Sequence, residues 1–128
     1  KHKFIIMKTA EQIWSAYMQS TSEQNDNWQG LLAEDISFTG PVIQVKGKEA
    51  YIKTTEDFFQ IVRNFELKRY VANENLLVTE VELTVAAPSG KEIILDMAEF
   101  YETGDDKIQS VKVHYDATEF RKEFGMNS

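Results

Sequence analysis

A single aspartate in the middle of an apolar strand is the residue of this sequence best placed to do chemistry. Asp96 lies between Leu95 and Met97 in the segment ILDMAEF. Burying a carboxylate there costs several kcal/mol unless the group is protonated or paired. A protonated carboxyl can donate to a bound oxygen, whereas an ion pair with a neighbouring strand would be structural. We therefore take Asp96 as the candidate catalytic acid, with Tyr17 or Tyr115 as its polar partner, and keep the ion pair as the alternative.

Other chemistry is limited by the residue types that the sequence offers. It contains no cysteine and only two histidines, His2 and His114. Disulfides, thiolate catalysis and cysteine-ligated zinc are excluded, and a histidine metal site would need mostly carboxylate ligands. We expect neither a metal nor a cofactor. Asp116 follows the pair His114-Tyr115, and we interpret it as the N-cap of a final helix with Glu119 as its capping-box partner.

Length and charge indicate one globular domain over residues 1–128. The chain is 42% hydrophobic and 12% aromatic, which suits a domain with a sizeable core or a lined cavity. Its net charge of −7 argues against a nucleic-acid partner. The longest apolar run, FIIM at 4–7, is too short to span a membrane, so we expect no membrane attachment. The lack of cysteine favours a cytoplasmic location. Because the first residue is not Met, we expect residues 1–8 to be a loosely attached lead-in.

Hydrophobic periodicity predicts helices first and strands afterwards. A capping box formed by Thr9 and Gln12 begins a first helix, and residues 26–32 form a short second one. A strand containing Phe38 ends at Gly40-Pro41, and a third helix covers 47–62. Alternation with a period of two then predicts four antiparallel strands joined by turns, over residues 65–71, 77–85, 91–101 and 108–115. Helices on one side of an antiparallel sheet give an α+β domain.

The two middle strands of this meander carry many apolar residues, which we assign to both faces of the sheet. One face would hold Leu77, Val81, Leu83 and Val85, and the other Val78, Ile93, Leu95 and Met97. A sheet that is apolar on both faces needs a cover on its outer side. We therefore predict a homodimer packed through the sheets.

Three stretches carry a resemblance to a known family. They are LLAEDISFTGP at 31–41, KGKEAY at 46–51 and GDDKIQSVKVHYDATEF at 104–120. Their order resembles the nuclear transport factor 2-like superfamily, and within it the SnoaL-like and ketosteroid isomerase-like branch. The resemblance covers nearly the whole chain after residue 8. It implies a cone fold, in which a curved, mostly antiparallel sheet wraps around helices and encloses a pocket.

The resemblance also implies a pocket lining. In a cone fold, strand alternation and the aromatic residues of the helices would place a set of side chains inside: Trp14, Trp28, Phe38, Phe58, Phe100, Val111, Val113 and Tyr115. The alternative is that the aromatic residues only fill the core.

Carried over by alignment with ketosteroid isomerase, Asp96 matches the protonated acid that donates to an oxyanion. Gly40 occupies the position at which that enzyme has its proton-abstracting carboxylate. The tyrosine of the enzyme's site aligns nearest to Ala16 of this chain, one residue from Tyr17. A complete steroid-isomerase site is therefore not present.

We consider three hypotheses for the function, each from a different class, because this fold hosts many activities. The first is an enzyme acting on a small apolar carbonyl compound by acid/base isomerisation, cyclisation or dehydration. The second is a non-catalytic binder of a small apolar ligand in the same pocket. The third is an interaction module that dimerises through its sheet.

Overall fold

One curved six-stranded sheet forms the body of the protein in the computed structural model, which describes residues 7–126. Its strands are β1 (Leu32–Thr39), β2 (Gln44–Lys46), β3 (Val62–Ala72), β4 (Leu76–Ala86), β5 (Glu92–Gly104) and β6 (Lys107–His114). The strand order is β2-β1-β6-β5-β4-β3. Only β1 and β6 pair in parallel, and the other neighbours are antiparallel. The predicted α+β class, with a mixed sheet of cone type, is confirmed.

The helices lie before and between the strands and once after them. They are α1 (Ala10–Ser22), a 3-10 helix (Asn27–Leu31), α2 (Lys48–Phe59) and α3 (Thr118–Glu123). The predicted capping box begins α1, because Thr9 Oγ1 accepts from the Gln12 amide and Gln12 Oε1 accepts from the Thr9 amide. Most of the predicted lead-in lies outside the described residues. At its end, the Lys8 amide donates to Asp106 Oδ1 at 2.8 Å.

The predicted helix over 26–32 is shorter and tighter than expected. Asp26 makes no side-chain cap, and Leu32 already belongs to β1. Ser20 of α1 fixes this segment instead, since its Oγ accepts from the Trp28 amide at 2.8 Å and donates to Asn25 Oδ1 at 2.6 Å. Asp116 does bind the start of α3 through the Thr118 amide at 3.0 Å, but the N-cap position is Ala117 and the predicted box with Glu119 does not form.

The inner face of the sheet, against which α1 packs, carries the core. On β4 it presents five buried side chains, those of Leu77, Thr79, Val81, Leu83 and Val85. The residues of β5 paired with them are, in the same order, Tyr101, Glu99, Met97, Leu95 and Ile93. Residues paired across two strands point to the same side of a sheet. The face that holds Leu77, Val81, Leu83 and Val85 therefore also holds Ile93, Leu95 and Met97.

The prediction that Ile93, Leu95 and Met97 lie on the opposite face was wrong, whereas Val78 does lie there, paired with Phe100. The outer face is correspondingly more polar. Lys68 there lies 3.5 Å from a Glu82 carboxylate oxygen and 3.7 Å from one of Asp96. Ile94 is 60% exposed on this face. The outer face thus keeps single apolar residues among exposed ion pairs, which contribute little stability.

Neighbouring isoleucines on β5 test this assignment of faces. We expect Ile93→Ala to lower the free energy of unfolding by about 2–5 kcal/mol, because Ile93 is 1% exposed and its removal leaves a cavity. The matched Ile94→Ala should cost less than about 1 kcal/mol. Urea denaturation measures both, and equal losses would contradict the assignment.

Candidate functional site

A cavity of about 500 Å³ opens between the inner face of the sheet, α2 and α3. This volume lies within the range of about 300–1,000 Å³ that small-molecule sites occupy. The residues that matter for its chemistry are Tyr17, Phe38, Gly40, Tyr51, Phe58, Glu99, Tyr101, Val111, Val113, Tyr115, Phe120 and Phe124. Most of this lining is apolar or aromatic, so the few polar groups inside it are the ones that can orient a ligand.

Glu99 is the carboxyl group in the deep part of the cavity. It lies on the inner face of β5, where it accepts a hydrogen bond from the buried Thr79 hydroxyl at 2.9 Å. Burial raises the pKa of Glu99, and the hydroxyls of Thr79 and Tyr101 partly oppose that rise by hydrogen bonding to its charged form. A carboxyl with a raised pKa can exchange a proton nearer to neutral pH than a solvated one.

Two tyrosine hydroxyls meet beside this carboxyl. Tyr17 of α1 and Tyr51 of α2 have their hydroxyl oxygens 3.0 Å apart, and either can be the donor. Burial raises the pKa of Tyr51 to about 12. Burial and the neighbouring tyrosines raise the pKa of Tyr17 well above its ordinary value. Burial and Glu99 raise the pKa of Tyr101 as well. The three hydroxyls therefore remain neutral, and a neutral hydroxyl can donate to a ligand oxygen.

Helix α3 and the rim of α2 border the mouth of the cavity. The rings of Phe120 and Phe124 stack with their centroids 4.3 Å apart, and both line the cavity. Arg121 fixes α3 by donating to the Pro41 carbonyl at 2.6 Å. At the rim, Asp57 pairs with Lys53 at 3.1 Å, and both side chains are largely exposed.

The structure brings most of the predicted aromatic and apolar side chains to the cavity. Six of them line it, namely Tyr17, Phe38, Phe58, Val111, Val113 and Tyr115. The two tryptophans are buried in the core and are not among the lining residues. Trp28 packs edge-on against Tyr17, and Trp14 lies against Tyr70 with a centroid distance of 4.9 Å. For the tryptophans, core filling is the correct alternative.

Asp96 and Phe100 do not face the cavity, so the predicted orientation was wrong for both. The Asp96 side chain is 78% exposed and lies near Lys68 on the outer face. Phe100 packs edge-on against His114, also on the outer face, at 5.6 Å. Even-numbered residues of β5 point outward here because the odd-numbered ones pair with the buried residues of β4. The structural ion pair, kept as the alternative for Asp96, agrees with this placement.

Three residues of the site were not predicted from the sequence, namely Glu99, Tyr51 and Tyr101. Glu99 lies two residues after Met97 and two before Tyr101, so the alternation that places these two inside also places the carboxyl inside. The even positions of β5 are apolar as well, so this alternation is decided only by the pairing with β4. Nothing local in the sequence indicates that Tyr51 reaches Tyr17, which is 34 residues away along the chain.

Within residues 7–126, no group of three or more histidine, aspartate or glutamate side chains is arranged to hold a metal ion. None of the helices in this range is long and apolar enough to cross a membrane.

The sequence itself matches a known family over most of its length. Residues 15–111 match the family described as the SnoaL-like domain. The chain belongs to this SnoaL-like family. No protein of curated function matches the sequence.

Solved structures of low sequence identity share the SnoaL-like fold. A protein from Jannaschia sp. CCS1, provisionally described as a SnoaL-like polyketide cyclase, has a TM-score of 0.74 at 12% identity, with 100% of both chains covered. A provisionally described isomerase from Rhodopseudomonas palustris has a TM-score of 0.73 at 13% identity, covering 94% of this chain and 99% of its own. An NTF2-like protein of unknown function from Cytophaga hutchinsonii has a TM-score of 0.73 at 16% identity, covering 91% and 98%.

The raised pKa of Glu99 makes stability depend on pH. Because folding favours the protonated form, Glu99 contributes stability that is present below its ordinary pKa of 4.5 and is lost as pH rises through the raised value. We expect Glu99→Gln to remove this part of the pH dependence of the free energy of unfolding. The exposed Glu92 of the same strand provides the control, and Glu92→Gln should leave the dependence in place. Urea titrations at a series of pH values measure both, and identical curves for the wild type and Glu99→Gln would contradict the expectation.

Proposed function

We propose that this SnoaL-like protein binds a small apolar molecule with a carbonyl oxygen in its cavity, and that Glu99 acts there as an acid/base residue. The observation that carries the proposal is the single deep carboxyl beside a pair of neutral tyrosine hydroxyls in an otherwise apolar cavity. A few convergent polar groups in an apolar pocket are typical of ligand sites. Groups with perturbed pKa values are typical of catalytic ones.

The arrangement supports proton transfer next to a carbonyl group. A ligand oxygen placed at the Tyr17 and Tyr51 hydroxyls would accept a hydrogen bond from one of them. Such a bond strengthens as negative charge develops on the oxygen, and it is worth more in a cavity than in water. Glu99 as a carboxylate could then remove a proton from the carbon next to the carbonyl group. Isomerisations, cyclisations and dehydrations of carbonyl compounds can all begin with this step.

The similar structures give this proposal limited support. The Jannaschia protein is described as a cyclase and the Rhodopseudomonas protein as an isomerase, both provisionally. At such low sequence identity, these structures show that this chain shares their fold, and they do not show a shared activity. The residues of this cavity therefore carry the argument.

A second candidate function is binding without catalysis, and Gly40 favours it. Gly40 lines the cavity and brings no acid to it. A Cβ at this position would lie 3.0 Å from Val113 Cγ2 and 3.3 Å from the Phe38 ring, so the local packing suits glycine. The cavity thus has one deep carboxyl where a two-carboxyl mechanism would need two.

A matched pair of bicyclic probes tests the binding step. β-Tetralone carries a carbonyl oxygen, and tetralin has the same rings without it. We expect β-tetralone to bind up to about tenfold more tightly, because one hydrogen bond contributes about 0.5–1.5 kcal/mol. Tyr17→Phe should reduce this ratio, whereas Tyr70→Phe should not, since Tyr70 packs on Trp14 outside the cavity lining. Calorimetry measures affinity, and NMR shifts of the Val111 and Val113 methyl groups locate the ligand.

Deuterium exchange into the same ketone separates the two candidate functions. If Glu99 acts as a base, the protein should accelerate exchange at the carbons next to the carbonyl group, and Glu99→Gln should lower that rate by about 10²–10⁴-fold. NMR follows the loss of the proton signals. Binding without acceleration would leave the protein a binder. Failure of the wild type to bind either probe in the cavity would reject both candidates.

Two further expectations from the sequence remain predictions. The homodimer now depends on the outer face alone, where Val78, Ala98 and Phe100 are partly buried and Ile94 is exposed. Light scattering at micromolar concentration checks it. A cytoplasmic location, expected from the cysteine-free sequence, is the other.

A further inference from the structure

The deep carboxyl of the cavity has hydrogen-bond donors around it but no counter-charge. Over residues 7–126, the ion pairs of lysine and arginine all involve other acids. Among the described residues that line the cavity, none is lysine, arginine or histidine. Arg121 is near the rim, but it donates to the Pro41 carbonyl and is not part of the lining. The charged residues of the lining, Glu99 and Asp57, are both acidic.

Neutral hydroxyls supply the polar surroundings of Glu99. Those of Thr79 on β4 and Tyr101 on β5 hydrogen-bond to it, and those of Tyr17 on α1 and Tyr51 on α2 lie near enough for its charge to raise their pKa values. Strand β6 adds the apolar side chains of Val111 and Val113 to the lining. A carboxylate removed from water among such groups keeps a large unfavourable desolvation term until a cation approaches it.

The aromatic walls of the cavity add to this preference for positive charge. Phe38, Phe58, Tyr115 and Phe120 contribute rings to the lining. The face of an aromatic ring carries partial negative charge, and cages of such rings bind ammonium groups. An anion would meet the same ring faces, two carboxylates and no cation, so its desolvation would go uncompensated.

We infer that the cavity selects its ligand by charge, favouring an apolar molecule with a protonated amine over its neutral counterpart and excluding its carboxylate counterpart. This inference rests on the proposed use of the cavity as a ligand site, and it names the ligand class that the charges favour. The amine would lie against Glu99, while the apolar part of the ligand fills the space between the rings. For such a ligand Glu99 is the anion that holds the amine and not the base of the proposed proton transfer, and the tyrosine hydroxyls remain free for an oxygen.

Three probes with one ring skeleton test the inference: β-aminotetralin, which is protonated at neutral pH, β-tetralol, which is neutral, and tetralin carboxylate, which is anionic. We expect the amine to bind about tenfold more tightly than the alcohol and the carboxylate to bind at least tenfold more weakly. Glu99→Gln should bring the amine and the alcohol to within about twofold of each other. Titrations at about 0.15 M and about 1 M salt separate a buried contact from long-range attraction to the net negative protein, since only the latter is strongly screened.

Asp96→Asn is the matched control, because Asp96 lies on the same strand as Glu99 but is exposed on the outer face of the sheet near Lys68. The amine preference should survive in Asp96→Asn and disappear in Glu99→Gln. If the alcohol binds as tightly as the amine, or if the preference survives in Glu99→Gln, the inference is wrong while the proposed ligand site stands. If none of the three probes shifts the methyl groups of Val111 and Val113, the ligand site itself fails and the inference fails with it.

Discussion

Backbone hydrogen bonds between β4 and β5 hold Val81 opposite Met97 and Thr79 opposite Glu99, and every chemical feature of the cavity depends on that register. Side chains alternate along a strand, so a slip by one residue would exchange the two faces. Glu99 would then face solvent and Asp96 would face the core. The register is well specified because the inner face buries Leu77, Val81, Leu83 and Val85 almost completely.

Placing a carboxyl on the inner face opposes stability and supplies the acid of the proposed site. Burial raises the pKa of Glu99, which means that the folded protein disfavours its charged form. The hydroxyls of Thr79 and Tyr101 recover part of that loss, and the surrounding apolar core supplies the remainder. If stability were the only requirement, an apolar side chain such as leucine would be more favourable than glutamate at position 99. The proposed ligand site would give this glutamate a function that offsets its cost to stability.

Local patterns in the sequence were sufficient for the elements and for half of the site. The capping box at Thr9, the break at Gly40 and the alternation of β6 each depend on neighbouring residues, and each was predicted correctly. Strand β5 was harder, because it has apolar residues on both alternations. Ile94, Ala98 and Phe100 compete there with Ile93, Leu95 and Met97.

Only the pairing of β5 with β4 decides which of these sets lies inside, and a single-strand pattern does not contain that information. The resemblance to ketosteroid isomerase then favoured the wrong carboxylate, Asp96, three positions before the buried one. The contact between Tyr17 and Tyr51 could not be predicted from the sequence for a similar reason, since it depends on how α1 and α2 pack in the folded protein.

The parallel pairing of β1 with β6 has a consequence for how the chain folds. Phe38 pairs with Val111, so a strand from the first third of the chain is joined to the last strand, and α2 and the β3–β5 meander come between them. Closing such a distant pair restricts a long loop before any contact compensates for it, which makes it a slow step. The antiparallel hairpins of β3–β6 involve shorter loops and can assemble earlier. Because Phe38 and Val111 are neighbours in the lining of the cavity, this part of the lining forms only when the β1–β6 junction closes, and the proposed ligand would bind only chains in which it has formed.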